Sequence, residues 1–244
     1  MSRLREAFDG LQVSGGQVTD TFARRLVVTR NLWRRVPEAG SLVPLIGSLA
    51  AQLMAEEKVR LVDDVMLVKP ARENGGDPTI WHQDAPNFPF DRRGFLTFWI
   101  ALDDITLDQG PLTFLPGSHR LGPLGAVDGA GEEIPLESFL TEEDRAYVGE
   151  PVATALNAGD TTVHDGHLLH SAEANRTNRP RRAWGVRYIP ASTLYTGAAH
   201  RSFDGLGLVP FEPFEHDDFP LMTARHDGLL RETGPAARQR FQPE

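Results

Sequence analysis

The sequence contains no cysteine, which excludes several kinds of site at once. Disulfide bonds, cysteine-ligated iron–sulfur clusters and zinc sites built on thiolates all require that residue. The sequence also has no run of about 18 apolar residues, so we expect no transmembrane helix. Residues 1–6 lack the apolar stretch of a signal peptide. Together these features favour a cytoplasmic protein.

Positive charge is scarce as well. The formal net charge is −9, and Lys58 and Lys69 are the only lysines. An acidic chain without a basic stripe is a poor candidate for binding nucleic acid or an anionic membrane, because both are negatively charged. We therefore expect neither as a partner. One basic cluster remains, in which a role in a site competes with a solvated face: Arg176, Arg179, Arg181, Arg182 and Arg187.

The composition, with 40% hydrophobic and 24% charged residues, predicts one globular domain over residues 1–244. Residues 1–16 are predicted to be loosely structured, and N-terminal helices are predicted over about 18–57. Within that range, residues 41–57 have apolar side chains at steps of three and four, which indicates an amphipathic helix with Ser41 as its N-cap. We expect this helix to pack on a sheet.

Short strand-like runs occupy residues 59–190 and are separated by Gly, Pro, Asn and Asp, a pattern typical of a jelly roll. The predicted strands are residues 60–62, 65–69, 95–102, 112–115, 152–156, 161–164, 167–171 and 182–189. Residues 121–150 interrupt them with a long insertion that contains apolar residues, which favours a lid over the site. Residues 200–244 are irregular and rich in phenylalanine, and we expect them to wrap over the barrel.

Two short segments contain the residues of a metal site. Trp81-His82-Gln83-Asp84 and Leu168-Leu169-His170 provide two imidazoles and a carboxylate, the ligand set of mononuclear non-haem iron(II). His82 and Asp84 are two residues apart, and on a strand that spacing points both side chains to one face. The third ligand must come from elsewhere in the fold. His170 is the candidate, with His164 and His167 as rivals.

The order of the surrounding motifs resembles the phytanoyl-CoA dioxygenase family of iron(II)/2-oxoglutarate oxygenases. The resemblance covers residues 59–190. Besides the His-x-Asp pair it includes the tryptophan-bearing strand 95–102, the LPGSH turn at 115–119, the Gly-Asp turn at 159–160 and an arginine eleven residues beyond His170. It implies a double-stranded β-helix with helices packed outside. It also implies iron(II) as cofactor, 2-oxoglutarate as co-substrate and dioxygen as oxidant.

The resemblance implies specific roles for these residues. His82, Asp84 and His170 would bind the metal and form the catalytic centre, and the spacing to Arg181 matches the family only from His170. Arg181 would bind the distal carboxylate of 2-oxoglutarate, since a guanidinium can donate two parallel hydrogen bonds. The further candidates for co-substrate contacts are Thr97, Trp99, Ser171 and Gln83. For Gln83, contact with substrate and a bracing role in the fold remain equal alternatives.

The expected reaction is hydroxylation of an unactivated C–H bond in a small-molecule substrate from secondary metabolism, such as an antibiotic intermediate. Asp84 occupies the position that related halogenases keep small for a halide, so halogenation is not expected. An oxidative cyclase or epimerase acting on a glycosylated polyketide-like scaffold would use the same site. A non-catalytic jelly-roll binding module is an alternative of another class, and succinate release would separate enzyme from binder.

Overall fold

The structure, a computed structural model, describes residues 2–13, 26–74, 76–92, 94–125, 135–200 and 202–224. Its α-helices are α1 (Ser2–Val13), α2 (Leu32–Arg35) and α3 (Pro37–Met54), and short 3₁₀ turns occur between the strands. Its strands are β1 (Val27–Arg30), β2 (Lys58–Lys69), β3 (Thr79–His82), β4 (Leu96–Ala101), β5 (Leu112–Phe114), β6 (Val152–Ala153), β7 (Thr161–Asp165), β8 (His170–Ala172), β9 (Arg181–Pro190) and β10 (Leu221–Thr223).

The strands form two antiparallel sheets. One has the order β1-β2-β9-β4-β7, with β10 also paired to β2, and the other has the order β3-β8-β5-β6. The predicted mainly β jelly-roll fold is confirmed. Four predicted strands are shorter than expected. Strands β4 and β5 lose only end residues, whereas residues 154–156 lie outside β6 and the strand predicted from residue 167 begins at His170, because a turn occupies residues 166–168.

Two predictions for the N-terminal part are wrong. Residues 2–13 form helix α1, because Leu4 and Phe8 lie one turn apart and are buried together in the core. Residues 27–30 form β1 instead of a helix and pair with β2, as suits a run with three β-branched residues. Residues 14–25 of the predicted helical range lie outside the described part of the chain.

Helix α3 also differs from its prediction. It begins at Pro37, because proline suits the first helical turn, and Ser41 donates its hydroxyl to the Glu38 carbonyl instead of capping the helix. The face that packs on the sheet consists mostly of small residues. At Gly47 an added Cβ would lie within 3.0 Å of Met222 and Tyr188 atoms, so the helix approaches the sheet closely. Leu45 and Leu53, predicted on the apolar face, are exposed.

Strand β2 is one continuous strand of 12 residues where two were predicted, and it contains a β-bulge. Leu61 pairs with Tyr188 but Asp63 pairs with Arg187, so Val62 is an extra residue in the register. A bulge changes which side chains face each side of a sheet. Asp63 therefore faces the interior between the sheets, and Asp64 faces the helices.

The C-terminal part that the structure describes closes one side of the barrel. Strand β10 pairs with the first residues of β2, and three phenylalanines of this segment share a core cluster with Phe95. The described residues of the predicted lid, 121–125 and 135–150, pack partly against Leu115 and Leu169. The lid role itself stays a prediction.

Among the described helices, none combines the length and apolar character needed to cross a membrane.

Asp64 is a buried carboxylate within the helix-facing core. It accepts hydrogen bonds from Trp184 Nε1 at 2.9 Å and from the Trp33 amide at 3.2 Å. Burial outweighs these contacts and raises the pKa of Asp64 from 3.8 to about 7. The ionised form is therefore less favourable in the folded chain than in the unfolded chain.

We predict that Asp64→Asn stabilises the protein at alkaline pH relative to the wild type. Folding raises the pKa of Asp64 from 3.8 to about 7. Protonated Asp64 therefore contributes its full share of the unfolding free energy below about pH 4, and this contribution is lost as the pH rises through 7. From pH 5 to pH 8 the difference in unfolding free energy should move by roughly 2–3 kcal/mol in favour of the asparagine variant. Denaturant titrations at both pH values measure it. A difference that does not change with pH would contradict the prediction.

Candidate metal centre

A cavity of about 150 Å³ lies between the two sheets. Strands β1, β2, β4, β7 and β9 contribute side chains from one sheet, and β3, β5 and β8 contribute them from the other. His82, Asp84 and His170 all line this cavity and are buried. One nitrogen or oxygen atom from each of these three residues lies within 4.8 Å of the others. The structure thus brings the three predicted ligands together.

The two histidines meet through a direct cross-strand pair. His82 is the last residue of β3, His170 is the first residue of β8, and the two are partners in the antiparallel register. Their ring centroids are 4.1 Å apart. Side chains opposite each other on neighbouring antiparallel strands point to the same face. Two residues far apart in the sequence can therefore reach one ion.

Each of these imidazoles is oriented by a backbone carbonyl. His82 Nδ1 lies 2.8 Å from the Ile80 carbonyl oxygen, and His170 Nδ1 lies 3.0 Å from that of Leu168. When Nδ1 donates its proton, Nε2 has the lone pair that a metal accepts. Burial lowers the pKa of both rings, well below 6.5 for His170, which favours the neutral form needed for metal binding.

Asp84 reaches the centre by a different route from the one predicted. Strand β3 ends at His82, and Asp84 has helical torsion angles at the start of a short 3₁₀ turn. The prediction that both residues share a strand is wrong, because the chain turns after His82. The Ala85 amide donates to the Gly166 carbonyl at 2.8 Å, which fixes this turn against the loop before β8.

Side chains from three strands surround the Asp84 carboxylate. Thr97 Oγ1 donates to Oδ2 at 2.9 Å, His164 Nε2 lies 3.6 Å from the same oxygen, and Arg187 Nη2 lies 3.7 Å from Oδ1. Burial by itself would raise the pKa of Asp84, but the positive charge of Arg187 and the other contacts hold it well below 3.8. The carboxylate is therefore ionised.

Arg181 lies in the same cavity with part of its guanidinium unused. Its Nη1 donates to the Gly110 carbonyl at 2.7 Å, and its Cζ lies 5.0 Å from the Trp99 ring centroid. Burial lowers the pKa of Arg181 to about 10, so it stays charged at neutral pH. Within the described residues, Arg181 Nε and Trp99 Nε1 have no hydrogen-bond partner. Such buried donors suit an anionic ligand, because leaving them unpaired is costly.

Arg182 points away from the cavity, as adjacent residues on a strand should. Its side chain forms ion pairs with Asp9 at 2.9 Å and Asp103 at 3.2 Å. Arg182 is therefore a matched control for Arg181.

The other predicted contacts divide into two groups. Thr97 and Trp99 line the cavity, whereas Gln83 and Ser171 are not among its lining residues. Gln83 is buried and bonded to backbone: its Nε2 donates to the Gly122 carbonyl at 2.9 Å, and its Oε1 accepts from the Leu124 amide at 2.7 Å. Of the two alternatives for Gln83, these contacts favour a bracing role.

The two rival histidines, His164 and His167, differ in whether they line the cavity. His167 Nδ1 lies 3.4 Å from Asp165, and the ring does not line the cavity. His164 does line it, opposite Thr97 in the register of β7 and β4, and neither ring nitrogen has a hydrogen-bond partner among the described residues. His164 is nevertheless not a member of the His82–Asp84–His170 cluster.

Sequence reasoning did not assign Arg187 and Asp63 to this site. Arg187 has the same strand parity as Arg181, which could have placed it on the cavity face. The position of Asp63 depends on the β-bulge, and no sequence pattern predicted that bulge.

Comparison with known proteins identifies relatives of this chain. A family model described as phytanoyl-CoA dioxygenase (PhyH) matches residues 9–183. Dioxygenase easH of Epichloe festucae var. lolii is 33% identical over 136 residues, which are 52% of this chain and 64% of that protein. Phytanoyl-CoA dioxygenase domain-containing protein 1 of Bos taurus is 33% identical over 113 residues, 46% of this chain and 39% of that protein. The chain thus spans less than two thirds of these curated relatives.

Solved structures match over more of their length. The non-heme alpha ketoglutarate dependent carbocyclase SnoK from nogalamycin biosynthesis is 28% identical, with a TM-score of 0.72 over 91% of this chain and 87% of that chain. The epimerase SnoN, in complex with Fe3+, alpha ketoglutarate and nogalamycin RO, is 28% identical, with a TM-score of 0.71 over 90% of this chain and 88% of that chain.

We predict that His170→Ala weakens metal binding by about a hundredfold or more. Loss of a residue that only hydrogen-bonds to a metal ligand typically weakens binding by about 10- to 100-fold, and loss of the ligand itself should weaken it further. His167→Ala is the matched control and should leave the affinity unchanged, since its ring lies outside the cavity. Titration of each folded variant with Mn(II) or anaerobic Fe(II) measures the difference. An equal loss in both variants would refute the ligand assignment.

Proposed function

Because this chain belongs to the phytanoyl-CoA dioxygenase family, we propose that it is an iron(II)- and 2-oxoglutarate-dependent oxygenase. The observation that carries this proposal is the buried cluster of His82, Asp84 and His170 within one cavity that also contains Arg181. Two neutral imidazoles and one carboxylate are the donors of the non-haem iron triad, so the residues present fit this metal. Bound iron supplies the redox chemistry that activates dioxygen with 2-oxoglutarate as reductant.

The unpaired donors beside Arg181 support 2-oxoglutarate as the co-substrate. Arg181 Nε and Trp99 Nε1 would donate to its distal carboxylate, while Arg181 Nη1 stays anchored on the Gly110 carbonyl. A charge-assisted hydrogen bond in a buried site is stronger than one in water. The stacking of the guanidinium on Trp99 fixes its plane before the ligand arrives.

The rest of the cavity would receive the organic substrate. Its walls include the apolar side chains of Val28, Leu67 and Leu112, and Phe88 and Asn87 follow the Asp84 turn. Apolar walls exclude water and hold a substrate carbon near the metal, which limits side reactions of the oxidant. Hydroxylation of an unactivated C–H bond in a natural-product intermediate is the reaction that we propose first.

Carbocyclisation or epimerisation is the second candidate. It is favoured by the similarity to SnoK and SnoN, each of which matches this chain over about nine-tenths of its length. These reactions would use the same metal, co-substrate and cavity, so the difference would depend on how the substrate is held. A non-catalytic binding module is less well supported, because all three candidate metal ligands are present and the buried Arg181 lies in the same cavity.

The experiment for this proposal measures turnover of 2-oxoglutarate. The protein, reconstituted with Fe(II) under air, should convert 2-oxoglutarate to succinate, and a panel of polyketide-type intermediates should raise the rate when one of them is accepted. Mass spectrometry of the product separates hydroxylation, which adds one oxygen, from cyclisation, which removes two hydrogens, and from epimerisation, which leaves the mass unchanged. No succinate from an iron-loaded protein would overturn the proposal.

We predict that Arg181→Ala weakens 2-oxoglutarate binding roughly a hundredfold or more and leaves metal affinity nearly unchanged. It removes the charge-assisted hydrogen bond from Nε, worth about 1.5–3 kcal/mol, together with the buried positive charge that faces the carboxylate, and the two losses together correspond to that factor. Arg182→Ala is the control, since its partners Asp9 and Asp103 lie outside the cavity. Anaerobic titration with 2-oxoglutarate measures both. A larger effect at Arg182 than at Arg181 would contradict the assignment.

A further inference from the structure

Arg187 lines the cavity and lies between two buried carboxylates, those of Asp63 and Asp84. Its Nη1 is 3.2 Å and 3.3 Å from the two oxygens of Asp63, both within hydrogen-bond distance. Its Nη2 is 3.7 Å from Asp84 Oδ1, beyond that distance. Although Arg187 is near both residues, it is bonded to Asp63 and only adjacent to Asp84.

Asp63 is in this position because of the bulge in β2. The extra residue, Val62, shifts the register so that Asp63 lies opposite Arg187 and faces the interior. Asp63 is 6% exposed and also accepts a hydrogen bond from Arg30 Nη1 at 2.9 Å. It therefore pairs with two arginines that both line the cavity, Arg187 of β9 and Arg30 of the neighbouring strand β1.

This arrangement matters because an arginine and a metal ion compete for the same carboxylate. A guanidinium pairs strongly with a carboxylate through two parallel hydrogen bonds, and the interaction is stronger when water is excluded. If Arg187 were bound to Asp84 in that way, a metal would have to break the pair before it could bind. With Asp63 as its partner, Arg187 is held by Nη1 on the other carboxylate, and its Nη2 stays beyond hydrogen-bond distance of Asp84.

We propose that Asp63 is a positioning residue that holds Arg187 away from Asp84 and so keeps the Asp84 carboxylate available to the metal. This inference rests on the proposed function, because it assigns Asp84 as a metal ligand. The Asp63–Arg187 pair thereby sets the metal affinity of the centre although neither residue is a ligand.

The test uses Mn(II) binding to the full chain, measured by calorimetry, so that it does not depend on turnover. In Asp63→Asn the shape of the side chain is kept but its charge is lost, and Arg187 turns to Asp84. We expect the Mn(II) affinity to fall by about tenfold or more, the factor that corresponds to loss of one charge-assisted contact. Asp64→Asn is the matched control, because the adjacent side chain faces the helices.

A double variant separates this role from a merely structural one. In Asp63→Asn/Arg187→Gln the competing cation is absent, so Mn(II) affinity should return to within about threefold of the wild type. Arg187→Gln alone should not weaken Mn(II) binding. If Asp63 only supported the fold, adding a second substitution in the same cavity would not restore binding.

Three results would overturn the inference, and they are distinguishable. Unchanged Mn(II) affinity in folded Asp63→Asn would show that Arg187 does not compete, and a double variant as weak as Asp63→Asn would show the same. A wild-type protein that binds no Mn(II) would overturn the proposed function together with this inference. Wild-type binding with either of the first two results would leave the proposed function intact.

Discussion

The metal centre depends on the direct pairing of His82 with His170 across β3 and β8. Both strands are short, and each places its histidine at one end, so a register shift of a single residue would point one ring to the opposite face. The LPGSH turn contributes to this register, because Ser118 Oγ accepts from the Leu169 amide at 2.8 Å and donates to the Leu115 carbonyl at 2.8 Å. That fully buried hydroxyl thus links the turn to the residue that immediately precedes His170.

The second constraint is the balance of charge in the cavity. Asp63 and Asp84 are buried, and burying an ionised carboxylate is costly unless it is paired with a positive charge. Arg187 contacts both, while Arg181 lies farther along the same face of β9 with an unused donor. The protein therefore pairs its own carboxylates with Arg187 and Arg30 and leaves the Nε donor of Arg181 for an incoming anion.

Part of this organisation could be predicted from the sequence. The spacing of His82, His170 and Arg181 is set by strand pairing and parity, and these residues all lie in one cavity as expected. The position of Asp84 on a turn could not be predicted, because a two-residue spacing fits a turn as well as a strand. The sheet-facing side of α3 was also missed, since its contacts come from small residues that a pattern of large apolar side chains ignores.

The turn at Asp84 makes the site depend on more of the fold than a strand position would. A carboxylate on a regular strand is oriented by its own backbone, whereas the Asp84 carboxylate accepts a hydrogen bond from Thr97 of β4 and lies 3.6 Å from His164 of β7 and 3.7 Å from Arg187 of β9. The geometry of this ligand therefore depends on three strands of the sheet opposite the two histidines. Substitutions that shift that sheet should change the carboxylate first and leave the His82–His170 pair in place. The position of the charged ligand, Asp84, can therefore change without a change in the positions of the two neutral ligands, His82 and His170.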